Sequence, residues 1–320
     1  MLKSKHLIGL EDFPISDLNK IIDTSFKFKE ILSTPERKIN LLKDKTLVNM
    51  FFENSTRTKI SFTLAEKRLG ADSINFSAST SSVKKGETLK DTVQNIESMK
   101  IDGAIIRHSH PGSALKLTEY IDGSVINAGD GSHEHPTQAI LDMVTLKEKF
   151  WKIKNLKIGI IGDILNSRVA RSNIFGLKKL GAEVVVCGPT TLLPNDISRL
   201  GINVTNNIDE VLNWCDAVIA LRIQLERMHL GRIPSKREYH KFFGLTYERI
   251  SKLKKDITIM HPGPMNRGVE IDSKIADSEN AVILDQVLNG VASRMSILYL
   301  LLGDKSNQIW LIRNSPKKYY

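Results

Sequence analysis

Residues 47–58 of this chain read LVNMFFENSTRT, an apolar run that changes abruptly into a polar one. The apolar part predicts a buried strand, and a helix-like stretch from Lys59 to Leu69 follows, with Gly70 as its stop signal. Apolar residues recur there at a spacing of four, as Ile60/Leu64 and Ala65/Leu69. A strand, a polar loop and a helix start in this order aim backbone N–H groups and the positive end of a helix dipole at one point.

Hydroxyl groups and one guanidinium are concentrated at that point, in the residues Ser55, Thr56, Arg57 and Thr58. Such groups around a helix start form a cage for a phosphate-sized anion. A simpler interpretation is that Asn54 or Ser55 only caps the helix, because both residue types are common at N-caps. Capping needs one such residue and not four in a row, so the sequence favours the anion site.

Length and composition limit the class of protein. A chain of 320 residues is long for one hydrophobic core and suits two domains. It is 41% hydrophobic, and its apolar runs are shorter than the roughly 18–20 residues of a membrane span. The basic N-terminus lacks a following apolar segment, so we expect no signal peptide. Two cysteines without a C-x-x-C pattern, Cys187 and Cys215, predict a reducing cytoplasm rather than a disulfide framework.

The formal net charge of +10 admits two interpretations. A nucleic-acid-binding protein would concentrate lysine and arginine in a block or along one helix face, with aromatic residues between them. Here the basic residues are scattered and aromatic residues make up 6% of the chain. A positive field also attracts small anionic substrates to an enzyme, and the sequence favours this second interpretation.

Apolar strand-like runs alternate with helix-like stretches along the chain. The candidate strands are residues 46–52, 73–76, 103–107, 124–128, 156–161, 183–187, 202–205, 217–222 and 257–260. Alternation of this kind predicts an α/β protein with parallel sheets. A break near 148–155 divides the strands into four and five, so we expect two doubly wound domains linked by helices. The apolar stretch 287–302 predicts a C-terminal helix that packs back on the first domain.

Polar clusters follow most of these strands, where ligands bind in open α/β sheets. Residues 55–58 follow the first strand, 79–88 the second, and Arg107 closes the third. The remaining clusters are 129–136, 162–168, 222–224 and 261–264. The Ser- and Lys-rich loop 79–88 is equally compatible with a surface turn and with a lid that brings cations to an anion. Arg168 and Arg222 favour a two-pronged carboxylate clamp over solvated surface charges.

Other ligand chemistries find less support. Gly159-Ile160-Ile161-Gly162 lacks the spacing of a dinucleotide loop, and Lys85-Gly86-Glu87-Thr88 is not a phosphate-binding P-loop. Two His-x-His pairs, His108/His110 and His133/His135, raise the alternative of a metal site. Both pairs fall in expected loops, and the further ligands that a metal site requires are not evident. A neutral His135 that donates a hydrogen bond to a polarised oxygen needs no metal.

Taken together, the motifs resemble those of the transcarbamoylase family, over residues 8 to 303. The matching segments are 52–58, 81–88, 135–142, 167–168, 222–227, 261–271 and 286–295. The segment 261–267, His-Pro-Gly-Pro-Met-Asn-Arg, is similar to the aspartate branch of the family, whereas ornithine enzymes typically have a His-Cys-Leu-Pro pattern there. A transcarbamoylase with ornithine or another amine acceptor remains the alternative, although such an enzyme has little use for two arginines facing the acceptor's side chain.

The resemblance implies the transfer of a carbamoyl group from carbamoyl phosphate to the amino group of L-aspartate, without a cofactor or a metal. It implies a carbamoyl-phosphate-binding domain of residues 1–148 plus 287–320 and an aspartate-binding domain of residues 149–286. Arg57, Thr58, Arg107 and His135 would be catalytic. The carbamoyl phosphate site would comprise Ser55, Thr56, Arg57, Thr58, Arg107, His135, Gln138, Gly263 and Pro264.

The resemblance also implies an aspartate site and an oligomer. Aspartate would be bound by Lys85, Arg168, Arg222 and Gln224. Ser81 and Lys85 would reach into the neighbouring subunit's site, which makes a homotrimer the smallest active unit. Glu53 would link the two domains on closure, through Arg168, and residues 227–246 would form a loop on the aspartate side. The sequence leaves open whether a separate regulatory chain binds, and it predicts neither a nucleic-acid nor a membrane partner.

Overall fold

Each half of the chain is built on a parallel β-sheet whose strands alternate with helices. The computed structural model describes residues 1–77, 88–224 and 235–304. Its first sheet has the order β2-β1-β3-β4. These strands are β1 (Thr46–Phe51), β2 (Asp72–Ser77), β3 (Gly103–His108) and β4 (Ser124–Asp130). The helices of this half are α1 (Ile15–Leu32), α2 (Thr56–Leu69), α3 (Leu89–Glu97), α4 (Ser113–Leu117) and α5 (Pro136–Phe150).

The second sheet has the order β7-β6-β5-β8-β9, and all its pairs are parallel. Its strands are β5 (Lys157–Ile161), β6 (Glu183–Cys187), β7 (Asn203–Thr205), β8 (Ala217–Ala220) and β9 (Thr258–Met260). The helices that follow are α6 (Arg168–Lys179), α7 (Ile208–Trp214), α8 (Lys236–Phe243), α9 (Tyr247–Ser251), α10 (Ser273–Ala276) and α11 (Ile283–Leu302). All nine predicted strands are therefore confirmed to within two residues, as is the two-sheet α/β fold.

Two compact units divide the chain. The first unit is residues 1–144 together with the chain from Leu288 onward, and the second unit is Thr145–Val287. The divisions fall inside α5 and α11, so these two helices are the covalent connections between the units. The predicted domain limits, 1–148 plus 287–320 and 149–286, stay a prediction.

The C-terminal helix α11 packs on α1, as the sequence predicted. The hydroxyl of Ser296 donates to the carbonyl oxygen of Ile21 at 2.8 Å, and both residues are buried. The rings of Tyr299 and Phe28 meet edge to face, with centroids 5.7 Å apart. No helix within residues 1–77, 88–224 and 235–304 is both long and apolar enough to cross a membrane.

Helix α2 corrects one detail of the sequence analysis. It begins at Thr56, three residues before the predicted start, and ends at Gly70, whose φ of 81° places it in the left-handed conformation of a C-cap. The predicted pair Ile60/Leu64 does not mark the buried face, because Ile60 is 60% exposed. The buried side chains are those of Thr58, Phe62, Ala65, Glu66 and Leu69, which share one stripe of the helix.

Candidate active site

The polar segment after β1 and the end of β3 lie side by side at the carboxyl edge of the first sheet. β1 and β3 are neighbours, while the chain continues to β2 on one side and to β4 on the other. Phe51 and Arg107 are register partners, and the N–H of Phe52 donates to the carbonyl oxygen of Arg107 at 2.9 Å. Ligands of open parallel sheets bind at such a switch point. Residues 52–58 and Arg107 therefore occupy the expected binding edge.

The N-terminus of α2 provides the donors of the predicted anion cage. Ser55 holds the N-cap position in an extended conformation, yet its side chain makes no capping hydrogen bond. Its hydroxyl is thus not used by the helix, and a pure capping role does not describe it. The N–H groups of the first helical turn have no acceptor inside the helix. Thr56 and Arg57 are exposed and Thr58 is buried, so the cage has an open side and a closed side.

Arg107 is held at two points beside this cage. Its Nη1 donates to the carbonyl oxygen of Ala128 on β4 at 3.2 Å. Its Nε lies 3.4 Å from Oε2 of Glu53, and each of the two side chains is 15% exposed. Glu53 therefore forms an ion pair with Arg107 inside the first unit. The expected pairing of Glu53 with Arg168 stays a prediction.

A hydrogen-bonded turn carries the chain from β4 to His135. The carboxylate of Asp130 accepts hydrogen bonds from Nδ2 of Asn127 at 2.7 Å, the N–H of Gly112 at 2.8 Å and the N–H of Glu134 at 3.2 Å. Nδ1 of His133 lies 3.1 Å from the same carboxylate. Burial alone would raise the pKa of Asp130, but the hydrogen bonds from His133, Asn127 and Gly112 outweigh it and lower that pKa. The turn thus rests on an ionised carboxylate.

His135 and Gln138 stand at the start of α5, directly after this turn. His135 is 5% exposed, and Oγ1 of Thr137 lies 3.4 Å from its Nδ1. A hydroxyl donating to Nδ1 leaves the ring proton on Nε2, which can then donate to a substrate oxygen. The backbone oxygen of His135 accepts from the N–H of Gln138 at 3.0 Å. Gln138 in turn donates from Nε2 to Oδ1 of Asp142 at 3.1 Å.

The second sheet presents two arginines at its own switch point, between β5 and β8. Ser167 caps α6 by accepting a hydrogen bond from the N–H of Ala170 at 3.1 Å, and Arg168 is the first helical residue, 4% exposed. The N–H of Leu221 donates to the carbonyl oxygen of Ile161 at 2.8 Å, which brings Arg222 to the same edge. Arg168 and Arg222 thus follow neighbouring strands.

A buried network shapes the loop after β9. Nε2 of His261 lies 3.1 Å from Oε1 of Glu270, while Nδ1 of His261 accepts from the N–H of Gly263 at 2.8 Å. The proton of a neutral ring is therefore on Nε2. Nδ2 of Asn266 donates to Oε2 of Glu270 at 3.2 Å and to the carbonyl oxygen of Ile223 at 3.1 Å. The loop of Gly263 is thereby tied to the segment of Arg222.

The structure assigns each predicted site residue that it describes to the carboxyl edge of its own sheet. The first unit holds Glu53, Ser55, Thr56, Arg57, Thr58, Arg107, His135 and Gln138. The second unit holds Arg168, Arg222, Gln224, Gly263 and Pro264. Ser81 and Lys85 lie outside the described residues, as does the part of the predicted loop 227–246 up to residue 234.

The two His-x-His pairs lie at the ends of β3 and β4. His108 is the last residue of β3 and not part of a loop, which corrects the sequence analysis. Its Nδ1 accepts from the N–H of His110 at 3.0 Å, and its ring lies 5.0 Å from that of Phe52. Burial is the main cause that lowers the pKa of His108. Within the described part of the chain, no group of three or more His, Cys, Asp or Glu side chains could hold a metal ion.

Sequence reasoning missed the buried polar groups behind the site. Glu66 on α2 is fully buried and accepts hydrogen bonds from Nδ2 of Asn49 at 3.0 and 2.9 Å and from the hydroxyl of Ser73. Asp142 is fully buried as well, and Arg294 is 3% exposed. The available signal was a charged side chain on the apolar stripe of a helix, as Glu66 is four residues after Phe62.

Comparisons with known proteins agree with this geometry. The family model of the aspartate/ornithine carbamoyltransferase carbamoyl-P binding domain matches residues 5–148, and that of the Asp/Orn binding domain matches residues 154–301. The aspartate carbamoyltransferase catalytic subunit of Christiangramia forsetii is 56% identical over 300 residues, covering 94% of this chain and 97% of that protein.

Two solved structures extend the comparison. The aspartate transcarbamoylase of Trypanosoma cruzi in complex with carbamoyl phosphate and aspartate superposes with a TM-score of 0.85 at 28% identity, over 94% of this chain and 98% of that one. The catalytic subunit of M. jannaschii aspartate transcarbamoylase gives a TM-score of 0.82 at 35% identity, over 95% and 99% of the two chains.

The fold, the two polar sheet edges and these matches define a two-domain α/β enzyme that transfers carbamoyl groups. The chain belongs to the aspartate/ornithine carbamoyltransferase family. Its relatives at 53–56% identity are aspartate carbamoyltransferase catalytic subunits, so the predicted aspartate branch is confirmed.

Proposed function

We propose that this chain transfers the carbamoyl group of carbamoyl phosphate to the amino group of L-aspartate, giving N-carbamoyl-L-aspartate and phosphate. This reaction is an early step of de novo pyrimidine biosynthesis. The observation that carries the proposal is the start of α2 beside Arg107, where helix N–H groups, hydroxyls and guanidinium groups share one sheet edge. The two arginines of the second unit, Arg168 and Arg222, suit an amine acceptor that carries two carboxylates.

The cage at the start of α2 binds the phosphate in this proposal. Ser55, Thr56, Arg57 and Thr58 donate hydrogen bonds to its oxygens, assisted by the dipole of α2. The carbonyl oxygen of the donor gains negative charge when the amine attacks. Thr58, Arg107 and His135 then stabilise it as an oxyanion site, and losing one such donor typically costs about 3–4 kcal/mol of transition-state stabilisation.

The carbamoyl NH₂ group needs hydrogen-bond acceptors. We assign this role to Oε1 of Gln138 and to the backbone carbonyls of Gly263 and Pro264. The ties of His261 to Gly263 and Glu270 support the assignment, because they hold the backbone of this loop in one conformation. A fixed NH₂ fixes the rotation of the carbamoyl plane, and correct orientation supplies a large part of the acceleration.

Aspartate is bound by the second unit in this proposal, through Arg168, Arg222 and Gln224, with Lys85 as a further cation. Planar guanidinium groups pair with carboxylates in two parallel hydrogen bonds, and two arginines match the two carboxylates of the acceptor. The leaving phosphate accepts the proton of the amine, so no side chain has to act as a dedicated base. Orientation and electrostatics supply the rest of the acceleration.

The assembly that we propose is a cytoplasmic homotrimer in which Ser81 and Lys85 reach the site of a neighbouring subunit. The first unit corresponds to its carbamoyl-phosphate domain, predicted as residues 1–148 plus 287–320. The second unit corresponds to its aspartate domain, predicted as residues 149–286. Glu53 takes part in closure in this proposal. Both cysteines are reduced and buried, which suits a reducing compartment.

The test is an assay for the ureido product with carbamoyl phosphate and either L-aspartate or L-ornithine. Product with aspartate alone is the expected result. Product with ornithine alone would keep the phosphate cage and overturn the roles of Arg168 and Arg222. A folded protein that forms no product with either amine would refute the proposed function.

A further inference from the structure

Gln138 is anchored by a carboxylate on its own helix. The two side chains of Gln138 and Asp142 are four residues apart on α5, so they are neighbours on the helix surface. Nε2 of Gln138 and Oδ1 of Asp142 are 3.1 Å apart. Gln138 is 9% exposed and Asp142 is fully buried, so water does not compete for this hydrogen bond.

The anchor determines which end of the Gln138 amide faces a ligand. A carboxylate can only accept hydrogen bonds, so the NH₂ end of the amide must face Asp142. The carbonyl oxygen, Oε1, is then directed away from Asp142. An amide without such an anchor can turn over and present its NH₂ instead, because its two ends are nearly equal in size.

Arg294 on α11 keeps a positive charge beside this carboxylate. Its Nη1 donates to the carbonyl oxygen of Gly290 at 2.8 Å, and its guanidinium carbon lies 5.0 Å from the ring centroid of Phe62 on α2. Burial lowers the pKa of Arg294 to about 10, and the charge of Asp142 opposes that change. A cation next to Asp142 favours the ionised carboxylate, which is the form that can only accept.

Gly290 on α11 leaves the space that the guanidinium group of Arg294 occupies. A Cβ atom at Gly290 would lie 2.8 Å from Nη1 of Arg294 and 3.2 Å from Cδ2 of Leu141. Any residue other than glycine would therefore push the guanidinium away from its place. Helices α2, α5 and α11 thus meet around Arg294 and Asp142. The amide of Gln138 is hydrogen-bonded to Asp142.

We propose that Asp142 is a positioning residue that makes the site selective for donors carrying an N–H group. It holds Oε1 of Gln138 towards the carbamoyl NH₂, and Arg294 keeps it in the accepting form. The inference rests on the proposed function, because it assigns Gln138 to the carbamoyl group. Acetyl phosphate, which has a methyl group in place of the NH₂, gains nothing from this acceptor.

The experiment compares the dissociation constants of carbamoyl phosphate and acetyl phosphate for the wild-type protein and Asp142→Asn, by calorimetry. The substituted amide can donate to Oε1, so the Gln138 amide can turn over. We expect carbamoyl phosphate to bind about ten- to a hundredfold more weakly, as for the loss of a well-placed hydrogen bond. Acetyl phosphate should bind as in the wild type. The ratio of the dissociation constant of acetyl phosphate to that of carbamoyl phosphate therefore falls.

The matched control is Glu66→Gln, the same carboxyl-to-amide change at a fully buried position of the same unit. It should leave the ratio unchanged. A second reference is Gln138→Ala, which should lower the ratio by itself. Adding Asp142→Asn to this variant should then cause no further change in the ratio.

Two outcomes would overturn the proposal: an unchanged ratio in Asp142→Asn, whether or not both ligands bind more weakly, or an unchanged ratio in Gln138→Ala. If Asp142→Asn does not fold, Arg294→Gln tests the same link, since it removes the cation that holds the carboxylate ionised. A wild-type protein that makes no ureido product would instead refute the proposed function, so the two failures are distinguishable.

Discussion

Glu66 shows how a single buried carboxyl can set the pH dependence of stability. Burial raises its pKa from 4.5 to about 7, although the hydrogen bonds from Ser73 and Asn49 lower it. The folded protein therefore keeps this proton at pH values where the unfolded chain has released it. The stability that this group contributes is complete below pH 4.5 and is lost as the pH rises through about 7.

We therefore expect Glu66→Gln to remove part of this pH dependence. Between pH 4.5 and 8, the free energy of unfolding of the wild-type protein should fall by about 3 kcal/mol more than that of the variant. Urea unfolding followed by circular dichroism at a series of pH values measures the difference. Parallel pH profiles for the two proteins would mean that folding does not raise the pKa of Glu66.

At the scale of the element, the N-cap residue of α2, Ser55, makes no capping hydrogen bond with its side chain. We expect Ser55→Ala to cost less than about 0.5 kcal/mol of stability, because no capping hydrogen bond is lost. The affinity for inorganic phosphate should fall, because the proposed function assigns this hydroxyl to the anion cage. Thermal unfolding and phosphate titration separate the two effects.

A control for this prediction is Asn207→Ala at the start of α7. Oδ1 of Asn207 accepts hydrogen bonds from the N–H groups of Asp209 at 3.1 Å and Glu210 at 3.4 Å, as in an ordinary N-cap. Its loss should cost about 1 kcal/mol of stability and leave phosphate affinity unchanged. A large loss of stability in Ser55→Ala would show that its hydroxyl caps α2 in solution.

Elements were predictable from the sequence to different degrees. Strand β6 is a short apolar run between polar loops, so its limits followed from the sequence alone. The start of α2 was placed too late, because its first turn carries polar residues in place of an apolar pattern. Of its two apolar pairs, Ala65/Leu69 is buried, whereas Ile60 of the other pair is 60% exposed. The buried stripe instead includes Glu66, which its polarity would assign to solvent.

The sequence indicated candidate site residues where they belong to a motif. It did not indicate the buried charged residues that pack behind them. Arg107 and His135 stand at strand and helix ends, where the sequence pattern indicates a ligand-binding edge. Arg294 reaches Asp142 from a helix about 150 positions away along the chain, and only the fold brings the two charges together. Which residue pairs with a buried charge depends on the tertiary structure, and the periodicity of the sequence does not predict it.

At the scale of the whole molecule, the reactivity of the two cysteines can be used to follow the unfolding of the second unit. Cys187 and Cys215 are fully buried in one hydrophobic cluster, and burial raises the pKa of each thiol to about 12. We expect neither to react with an aromatic disulfide at pH 8 until this unit unfolds. The labelling rate in urea should equal the unfolding rate seen by circular dichroism. Rapid labelling of the native protein would show local opening of the cluster.

The proposed homotrimer makes a further prediction about the whole assembly. If each site combines Arg57 of one chain with Lys85 of its neighbour, inactive Arg57→Ala and Lys85→Ala chains should complement each other. Random mixing in equal amounts restores about a quarter of the sites, and the activity should return to that level. Mixed trimers that stay inactive after subunit exchange is verified would exclude shared sites.

The interrupted first unit has a consequence for how the protein is made. Residues 145–287 emerge from the ribosome as one uninterrupted piece, before residues 288–302 of α11 are synthesised. Ala292, Met295, Ile297 and Leu298 of that helix are fully buried, so the earlier-made part of the chain must wait for them with apolar surface uncovered. The half of the protein that is translated first is therefore the half that is finished last, and nascent chains halted before residue 288 are the species that chaperones should bind.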